Sequence, residues 1–381
     1  MNERIRLAIL MGGQSAERDV SLHSGATVVR ELLGRHDLKP VEILANGRWR
    51  FEPGFLGTGG AGKARAPGQG GGRETWFRGD GIPILEALSR LRGEGIDAVF
   101  NALHGPLGED GTVQGLLRML EIPFTGPDVI PAAVTMDKRL TKQVLASAGF
   151  STPRFFTIRA PELRDGPVDW ARWLDREGAR VPFPWVLKPN RLGSSVGVAI
   201  LKTPEEVMAE AQSILERWPE EAFRDDLLVE EAIRGRELTC GVIETDGCPR
   251  PLPPIEIRPL TSTFFDYHAK YTAGASEEVC PAPLSAAEEE AVQTTAVQVH
   301  RLFECAPLSR TDLFLTPSGA LEVLEVNTLP GMTATSLIPL SASKAGLSLG
   351  DLLESLVEHG ILRAAAVKRP IAHYNHRGPC Q

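Results

Sequence analysis

Residues 308–333 read L-S-R-T-D-L-F-L-T-P-S-G-A-L-E-V-L-E-V-N-T-L-P-G-M-T and constrain the fold more than any other stretch. Leu313, Phe314 and Leu315 form one apolar run, and Leu321, Val323, Leu324 and Val326 form a second. Pro317, Ser318 and Gly319 between them are turn residues, so the segment is expected to be a β-hairpin. Side chains alternate along a strand, which puts Arg310 with Asp312 on one face and Glu325 with Asn327 on one face. Pairing Thr316 with Gly319 sets Arg310 opposite Glu325 and Asp312 opposite Val323. A four-residue loop closed by Leu315 and Ala320 gives the same register. Cross-strand partners share a face, so Arg310, Asp312, Glu325 and Asn327 are expected to project to one side.

Two carboxylates and an amide oxygen are hard oxygen ligands. They suit Mg²⁺, which takes one or two carboxylates and completes its shell with water and phosphate oxygens. The arginine beside them can hold an anion that the metal also touches. Charged strand residues are usually just solvated. The loop T-L-P-G-M-T that follows is poor in charge and rich in backbone-shaping residues, which favours a site here.

The chain has 381 residues, enough for two or three domains, with 42% hydrophobic and 24% charged residues, as in ordinary globular proteins. A net charge of -8 offers no global attraction to nucleic acid or an anionic membrane. No apolar window is long enough for a transmembrane helix, and the N-terminus reads as a first strand and not as a signal peptide. The five cysteines are scattered without a C-x-x-C pair. Free thiols and a cytoplasmic setting are expected.

Residues 4–11 form an apolar strand, Gly12-Gly13 opens a loop, and Q-S-A-E-R-D-V-S leads into a helix over 21–33. A second strand over 40–45 ends at Asn46-Gly47, a hairpin signal returned by 48–51. This begins a parallel α/β layer. The dinucleotide fingerprint is incomplete, because the second and third glycines are missing. Residues 53–80 are too rich in glycine to order themselves by burial and are expected to be an exposed insertion. A helix over 83–92 and a strand over 97–103 follow. The strand's carboxyl end carries H-G-P-L-G-E-D-G-T, where ligands bind in open α/β sheets, and His104 stands there. A helix over 112–120 and a short strand over 123–125 complete this unit.

A helix over 136–148 carries Lys138, Arg139 and Lys142 near its start. The strand 185–189 includes Lys188, and R-L-G-S-S-V-G joins it to the strand 198–201. Backbone N–H groups, hydroxyls and a lysine beside glycines suit a flap over an anion. Thr203-Pro204-Glu205-Glu206 is a capping box, which makes Glu206 a cap. A strand over 227–233 carries Glu230 and Glu231, and 236–243 is expected to return antiparallel to it. The loop 261–276, with F-F-D-Y-H-A-K-Y-T-A-G, suggests a lid. A second capping box at Ser285 to Glu288 starts the helix before the hairpin, and the chain ends helical to about residue 362 with a basic tail.

Taken together, G-G-Q-S-A-E-R-D-V-S, A-L-H-G-P-L-G-E-D-G-T-V-Q-G, T-G-P-D, M-D-K, L-K-P-N-R-L-G-S-S-V-G, F-D-Y-H-A-K-Y and E-V-N-T-L-P-G-M-T resemble the D-alanine–D-alanine ligases of the ATP-grasp superfamily. The resemblance spans roughly residues 4–360. It implies an α/β and α+β protein with an ATP-grasp fold and an N-terminal parallel α/β, Rossmann-like domain. The domains implied are 1–135, carrying the insertion, a central ATP-grasp subdomain over 136–232, a catalytic domain over 233–362, and a tail over 363–381. The chemistry implied has two steps. A D-alanine carboxylate attacks the γ-phosphate of ATP, and the amine of a second D-alanine then displaces phosphate from the acyl phosphate.

In that pattern Asp312, Glu325 and Asn327 match ligands of two Mg²⁺ ions, for which Mn²⁺ can substitute, with Glu325 bridging. Arg310 and the Gly331 backbone match groups that steady the transferred phosphoryl and the oxyanion. Lys138 and Lys188 match phosphate-binding lysines, Lys270 matches the lid lysine, and Ser195 lies in the flap over the ATP phosphates. Glu230 and Glu237 fall where adenine and ribose are contacted. Glu17 matches the carboxylate that holds the first D-alanine's ammonium, with Ser194 and Tyr271 as its hydrogen-bonded partners. His104 lies near the first substrate, and Ser336 and Leu337 fall where the second substrate's carboxylate docks. A homodimer with small-molecule substrates, D-alanine and ATP, is also implied, for peptidoglycan synthesis. The insertion and the tail lie outside the pattern.

Three rival functions share parts of this pattern. D-lactate or D-serine as second substrate uses the same fold, and Tyr271 argues against D-lactate. A non-catalytic nucleotide-binding protein would not need the metal ligands, Arg310 and the lysines together. A dehydrogenase lacks its glycine fingerprint. Tyr271 is expected to close a polar chain through Ser194 to Glu17, and one such neutral link contributes about 0.5–1.5 kcal/mol. Tyr271→Phe is therefore expected to form measurable D-alanyl-D-lactate where the parent forms little. Product analysis with both acceptors present checks this, and an unchanged product ratio would make Tyr271 a mere aromatic plug.

Overall fold

A computed structural model describes residues 4–51, 79–159, 180–193, 198–203, 205–207, 209–210, 213, 226–259, 276–333 and 335–367. Of the stretches expected from sequence, the Gly-rich insertion up to residue 78, the lid stretch 261–275 and the tail beyond residue 367 lie outside the described residues, and the last helix runs past its expected end near residue 362 to Val367.

The chain opens with β1 (Arg6–Gly12), α1 (Arg18–Leu32), β2 (Asp37–Ile43) and β3 (Trp49–Phe51), followed by α2 (Ile84–Gly93) and β4 (Ala98–Asn101). The sheet order is β3-β2-β1-β4, with β1 parallel to both β2 and β4 and the Asn46-Gly47 hairpin returning β3 antiparallel. The short strand expected at 123–125 is a single parallel bridge, Val99 to Phe124. Strands of a parallel sheet are buried on both faces and read as continuous apolar runs, as L-A-I-L-M does in β1.

After α3 (Thr112–Met119) come α4 (Val129–Met136) and α5 (Lys138–Ser147). α5 is the helix expected over 136–148, and α4 before it was not expected. Asp128 and Asp137 cap the two starts: the Asp128 carboxylate accepts the Val129 N–H, and that of Asp137 accepts the Leu140 N–H. The central sheet has the order β5-β8-β6-β7, from β5 (Phe155–Ile158), β6 (Trp185–Pro189), β7 (Ala199–Leu201) and β8 (Leu227–Glu231). The expected antiparallel return of 236–243 onto β8 does not occur. β9 (Arg236–Thr245) instead pairs with three strands of another sheet, β10 (Cys248–Pro251), β11 (Ile255–Pro259) and β13 (Leu308–Leu315). The chain therefore leaves the central sheet at residues 232–235. β12 (Ser276–Val279) and β14 (Leu321–Asn327) complete that sheet, in the order β12-β11-β9-β13-β14. α6 (Ala286–Leu302) packs on it behind a capping box between Ser285 and Glu288.

The β13–β14 hairpin corrects the expected register. Thr316 closes the turn with Ala320, its N–H donating to the Ala320 carbonyl at 2.9 Å, and Leu315 pairs with Leu321. A bulge follows, so that Leu313 opposes Val323 but Asp312 opposes Glu325 and Arg310 opposes Asn327. Leu324 is the extra residue. Without it in a bulge, Glu325 would oppose Thr311 and turn to the helix side, since a one-residue slip exchanges faces. Val323 and Val326, three residues apart, both join Leu145, Val299 and Phe303 in one core cluster. The four expected polar groups thus share the other face, by a register different from the expected one.

The N-terminal unit does not close on its own. α7 (Leu337–Lys344) and α8 (Leu349–Val367) supply Ile338, Leu352, Leu353, Leu356 and Val357 to the core that also holds Leu7, Ile9, Met11 and Phe100. Among the described residues no helix is long and apolar enough to cross a membrane. Cys240, Cys280 and Cys305 are free, whereas Cys248 is disulfide-bonded, against the expectation of free thiols throughout.

The bulge sets a contrast. Leu313 is fully buried and Leu324 is not. Leu313→Ala is expected to cost about 2–5 kcal/mol and Leu324→Ala about 1 kcal/mol or less, read by urea unfolding. Equal costs for the two truncations would show that Leu324 is packed in the core and is not set aside in a bulge.

Candidate active site

On the cleft face of the hairpin the Arg310 guanidinium donates to both oxygens of Asp312, at 2.8 and 2.7 Å. This is the fork geometry of a bidentate arginine–carboxylate pair. Thr239, opposite Asp312 on β9, donates its hydroxyl to the same carboxylate at 2.5 Å. Asp312 is thereby fixed in direction and keeps acceptor capacity toward the cleft. Asn327 accepts the Leu329 N–H at 3.0 Å, which starts the Pro330-Gly331 loop. Among the described residues no group of three His, Cys, Asp or Glu side chains forms a metal cage. Two carboxylates and an amide oxygen fit a hard cation whose other ligands arrive with a phosphate.

Three lysines, two on α5 and one on β6, lie beside this hairpin. Lys138 stands at the N-terminus of α5 and donates to the Leu192 carbonyl at 2.7 Å, with Glu325 Oε2 at 3.9 Å. The loop after β6 is clipped to that helix start. Asn190 accepts the Arg139 N–H at 2.8 Å, and Arg191 donates twice to Asp137 Oδ2, at 3.1 and 2.9 Å. Burial would raise the Asp137 pKa, but hydrogen bonds from Asn190, the Leu140 N–H and Arg191 hold it below the usual carboxylate range.

Lys188 and Glu230 share a face because Val186 opposes Glu230 on the paired strand. Their ion pair is 2.5 Å long, and the other Glu230 oxygen meets Lys142 at 2.8 Å. Burial alone would push Glu230 up, yet the two lysines hold it below its ordinary value. Lys188 is lowered by burial but raised further by Glu230 and Glu325, and it ends above the ordinary lysine range. Complete burial and the neighbouring Lys188 pull Lys142 below that range against Glu230. Glu237, on β9, lies within electrostatic reach of Lys188. Lys142 was noted in the sequence without a role. Its signal was its place one turn after Lys138, on the same helix face.

The N-terminal unit brings two acids and a histidine to the same cleft. Glu17, 4% exposed, precedes α1 and accepts the Gly193 N–H at 3.3 Å. A Cβ on Gly105 (φ 73°) would lie 2.8 Å from the Glu17 carboxylate, so a side chain is excluded there on both conformational and steric grounds. His104 Nε2 lies 3.1 Å from Ser24 Oγ, and its Nδ1 lies 3.4 Å from Glu109. Ser24 Oγ also accepts the Met332 N–H at 3.4 Å, which ties this side to the loop after β14. Gly331 and Ser336 adjoin, since a Cβ on Gly331 would lie 3.0 Å from Ser336 Oγ. Ser336 precedes α7, whose first N–H groups, from Leu337 onward, form the positive end of a helix, suited to an anion. Ser194, Ser195, Lys270 and Tyr271 lie outside the described residues.

Burial lowers the His104 pKa, but the hydrogen bond and charge of Glu109 and the charge of Glu17 raise it more, so His104 titrates above its ordinary value. A raised histidine contributes stability that is present at low pH and lost as pH rises through the folded pKa. Glu109→Gln is expected to move the His104 midpoint down, measured by NMR titration of the imidazole. An unmoved midpoint would show that Glu109 does not set it.

Comparison with known proteins follows the same lines. Family models described as D-ala D-ala ligase N-terminus and C-terminus match residues 6–127 and 144–358. The D-alanine–D-alanine ligase of Geobacter sulfurreducens is 37% identical over 356 residues, 92% of this chain and 93% of its own. That of Methylobacterium radiotolerans is 38% identical over 368 residues, covering 93% and 98%. Among solved structures, the D-alanine–D-alanine ligase of Coxiella burnetii superposes with a TM-score of 0.72 at 27% identity, covering 96% of each chain. The VanG D-Ala:D-Ser ligase of Enterococcus faecalis gives 0.70 at 28%, covering 94% and 100%. The ATP complex of the Bacillus anthracis D-alanine–D-alanine ligase gives 0.68 at 27%, covering 95% and 99%. With both family models matched and relatives aligned over almost its whole length, this chain belongs to the D-alanine–D-alanine ligase family of ATP-grasp enzymes.

Proposed function

We propose that this chain joins two D-alanines into D-alanyl-D-alanine at the expense of ATP, for peptidoglycan synthesis. The observation that carries it is the face shared by Arg310, Asp312, Glu325 and Asn327, with Lys138 and Lys188 directly across the cleft. Phosphoryl transfer needs charge neutralisation and alignment more than covalent help from protein. Transfer of the γ-phosphoryl to one D-alanine carboxylate gives an acyl phosphate, and attack by the second D-alanine's amine releases phosphate.

Asp312, Glu325 and Asn327 are the groups that would hold Mg²⁺, two ions or Mn²⁺ in their place, and a bound cation supplies charge neutralisation on the phosphates. Lys138 and Lys188 bind those phosphates, and Lys270 and Ser195 are assigned to them by family resemblance. Glu230 and Glu237 line the nucleotide side. Arg310, fixed by Asp312, and the Gly331 N–H stabilise the oxyanion at the reacting carbon. Glu17 holds the first substrate's ammonium, with Ser194 and Tyr271 assigned as its partners, and His104 stands beside it. Ser336 and the Leu337 N–H receive the second substrate's carboxylate. On the same family ground the enzyme is a cytoplasmic homodimer, which light scattering at micromolar concentration checks.

A second reading has one observation in its favour: the Enterococcus faecalis neighbour is a D-Ala:D-Ser ligase, so this fold accepts D-serine there. A coupled ATPase assay across D-alanine, D-serine, D-lactate and L-alanine decides. Turnover with D-alanine alone is expected, and the absence of ADP release with any of them would favour a non-catalytic nucleotide-binding protein. Glu325→Gln and Asp312→Asn are each expected to lower turnover by about 10³-fold or more while the circular dichroism spectrum is kept, a loss of about 4 kcal/mol of transition-state stabilisation. Near-parental activity of either variant at low millimolar Mg²⁺ would remove that residue from the metal site.

A further inference from the structure

Lys142 is fully buried, yet its ammonium sits against the cluster that faces the phosphates. It has two partners: Glu230 Oε2 at 2.8 Å and Thr152 Oγ1 at 2.9 Å. Thr152 in turn donates to the Val323 carbonyl at 2.8 Å, and Ser151 accepts the Val323 N–H at 2.9 Å. β14 is the edge strand of its sheet, so these bonds take up its outward backbone groups. Lys142 is thus anchored to the metal-bearing hairpin from behind. Lys188 differs. It shares Glu230 but keeps about a tenth of its side chain exposed toward the cleft.

One buried carboxylate therefore has two cations, one sealed and one at the lip. A phosphate chain entering the cleft competes with Glu230 for Lys188. If Lys188 were the only partner, its departure would strand a buried carboxylate, which is strongly unfavourable and raises the pKa of the stranded group. With Lys142 behind it, Glu230 stays paired when Lys188 turns away. We propose that Lys142 is a positioning residue for ATP: it is the permanent counter-ion of Glu230 that lets Lys188 exchange that carboxylate for the nucleotide's phosphates. This rests on the ATP-dependent reading of the cleft. The charged groups around Glu230 are Lys142 on α5 and Lys188 on β6, with Glu325 and Glu237 acting at longer range on the lysines. Its cross-strand neighbour on β5 is Phe155, and Glu231 beside it is paired with Arg154.

The test uses the full-length enzyme, Mg·ATP and D-alanine. In Lys142→Met the KM for ATP is expected to rise about tenfold or more, while kcat at saturating ATP stays within about threefold of the parent. Calorimetric titration of ATP in buffers of different ionisation enthalpy is expected to show about one proton more taken up per ATP bound than in the parent, because the stranded Glu230 protonates. Affinity in the variant then improves as pH falls. An unchanged KM with no extra proton, or a fallen kcat with unchanged KM, would make Lys142 a packing residue and overturn the proposal. Should Lys142→Met fail to fold, the cycle on Glu230→Gln decides. With the carboxylate already removed, adding Lys142→Met is expected to change ATP affinity by less than about twofold, and a further tenfold loss would overturn the proposal. A parent that binds no ATP overturns the reading of the cleft itself, and this proposal with it.

Discussion

The period of two along a β-strand governs this molecule. A strand can serve a hydrophobic core and a polar cleft at once only if every residue keeps its parity, and one extra residue is enough to exchange the two. The hairpin carries such a residue, Leu324, in a bulge between the Leu313–Val323 and Asp312–Glu325 pairs. On the turn side of the bulge, Leu313 and Val323 enter the core under α6. Beyond it, Asp312 and Glu325 meet over the cleft while Val326 still reaches that core. Bulges recur next to active sites because they re-aim a side chain without ending the ladder.

The second element of the design is how separate sheets are held in register with each other. Among the described residues no single strand crosses from the central sheet to the hairpin sheet. The Asn190-Arg191 turn instead grips the start of α5, and the Ser151-Thr152 linker lies along the outer edge of β14. These bonds place Lys138 and Lys188 across from Glu325 by backbone and buried side-chain hydrogen bonds, which hold position better than surface ion pairs do. The glycine loop that carries Glu17 is held in the same manner, through the Gly193 N–H and the close approach of Gly105.

Much of this was legible in the sequence, for identifiable reasons. Alternation within each strand puts Arg310 with Asp312 and Glu325 with Asn327, and the expected register differs from the observed one by an even slip, which keeps all four on one face. The register itself was misread because turn composition alone does not separate a three-residue loop from its neighbours. The signal present was the spacing of Val323 and Val326, three apart where alternation demands two or four. α4 was not read in the sequence, although Asp128, a capping residue followed by the apolar run V-I-P-A-A-V, marked its start. The partners of β9 were not legible. Sheet pairing at that distance is decided by which apolar faces meet, and the residues between Glu231 and Arg236 do not signal a change of sheet. Lys142 was visible as a charge but not as a buried one, because burial is a property of the assembled subdomains.

The sharing of one core by the first strands and the last helices has a consequence for the order in which the molecule is built. Leu7, Ile9 and Met11 leave the ribosome long before Leu352, Leu353, Leu356 and Val357, which share their core. His36 and Arg35 wait equally long for Glu354 and Asp351. Until those helices emerge, one face of the N-terminal sheet is covered only in part, by Val28, Val29 and Leu32 of α1, and waits for the rest across more than three hundred residues of chain. Long-range closure of this kind is slow and exposes the chain to wrong associations while it lasts. A ribosome that stops after the Pro330-Gly331 loop has already delivered Arg310, Asp312, Glu325, Asn327, Lys138, Lys188 and the glycine loop, but not the helices that let the first sheet become a solid. In this molecule α7 and α8 act as the keystone, and the arch of chemistry beneath them stands only once they are in place.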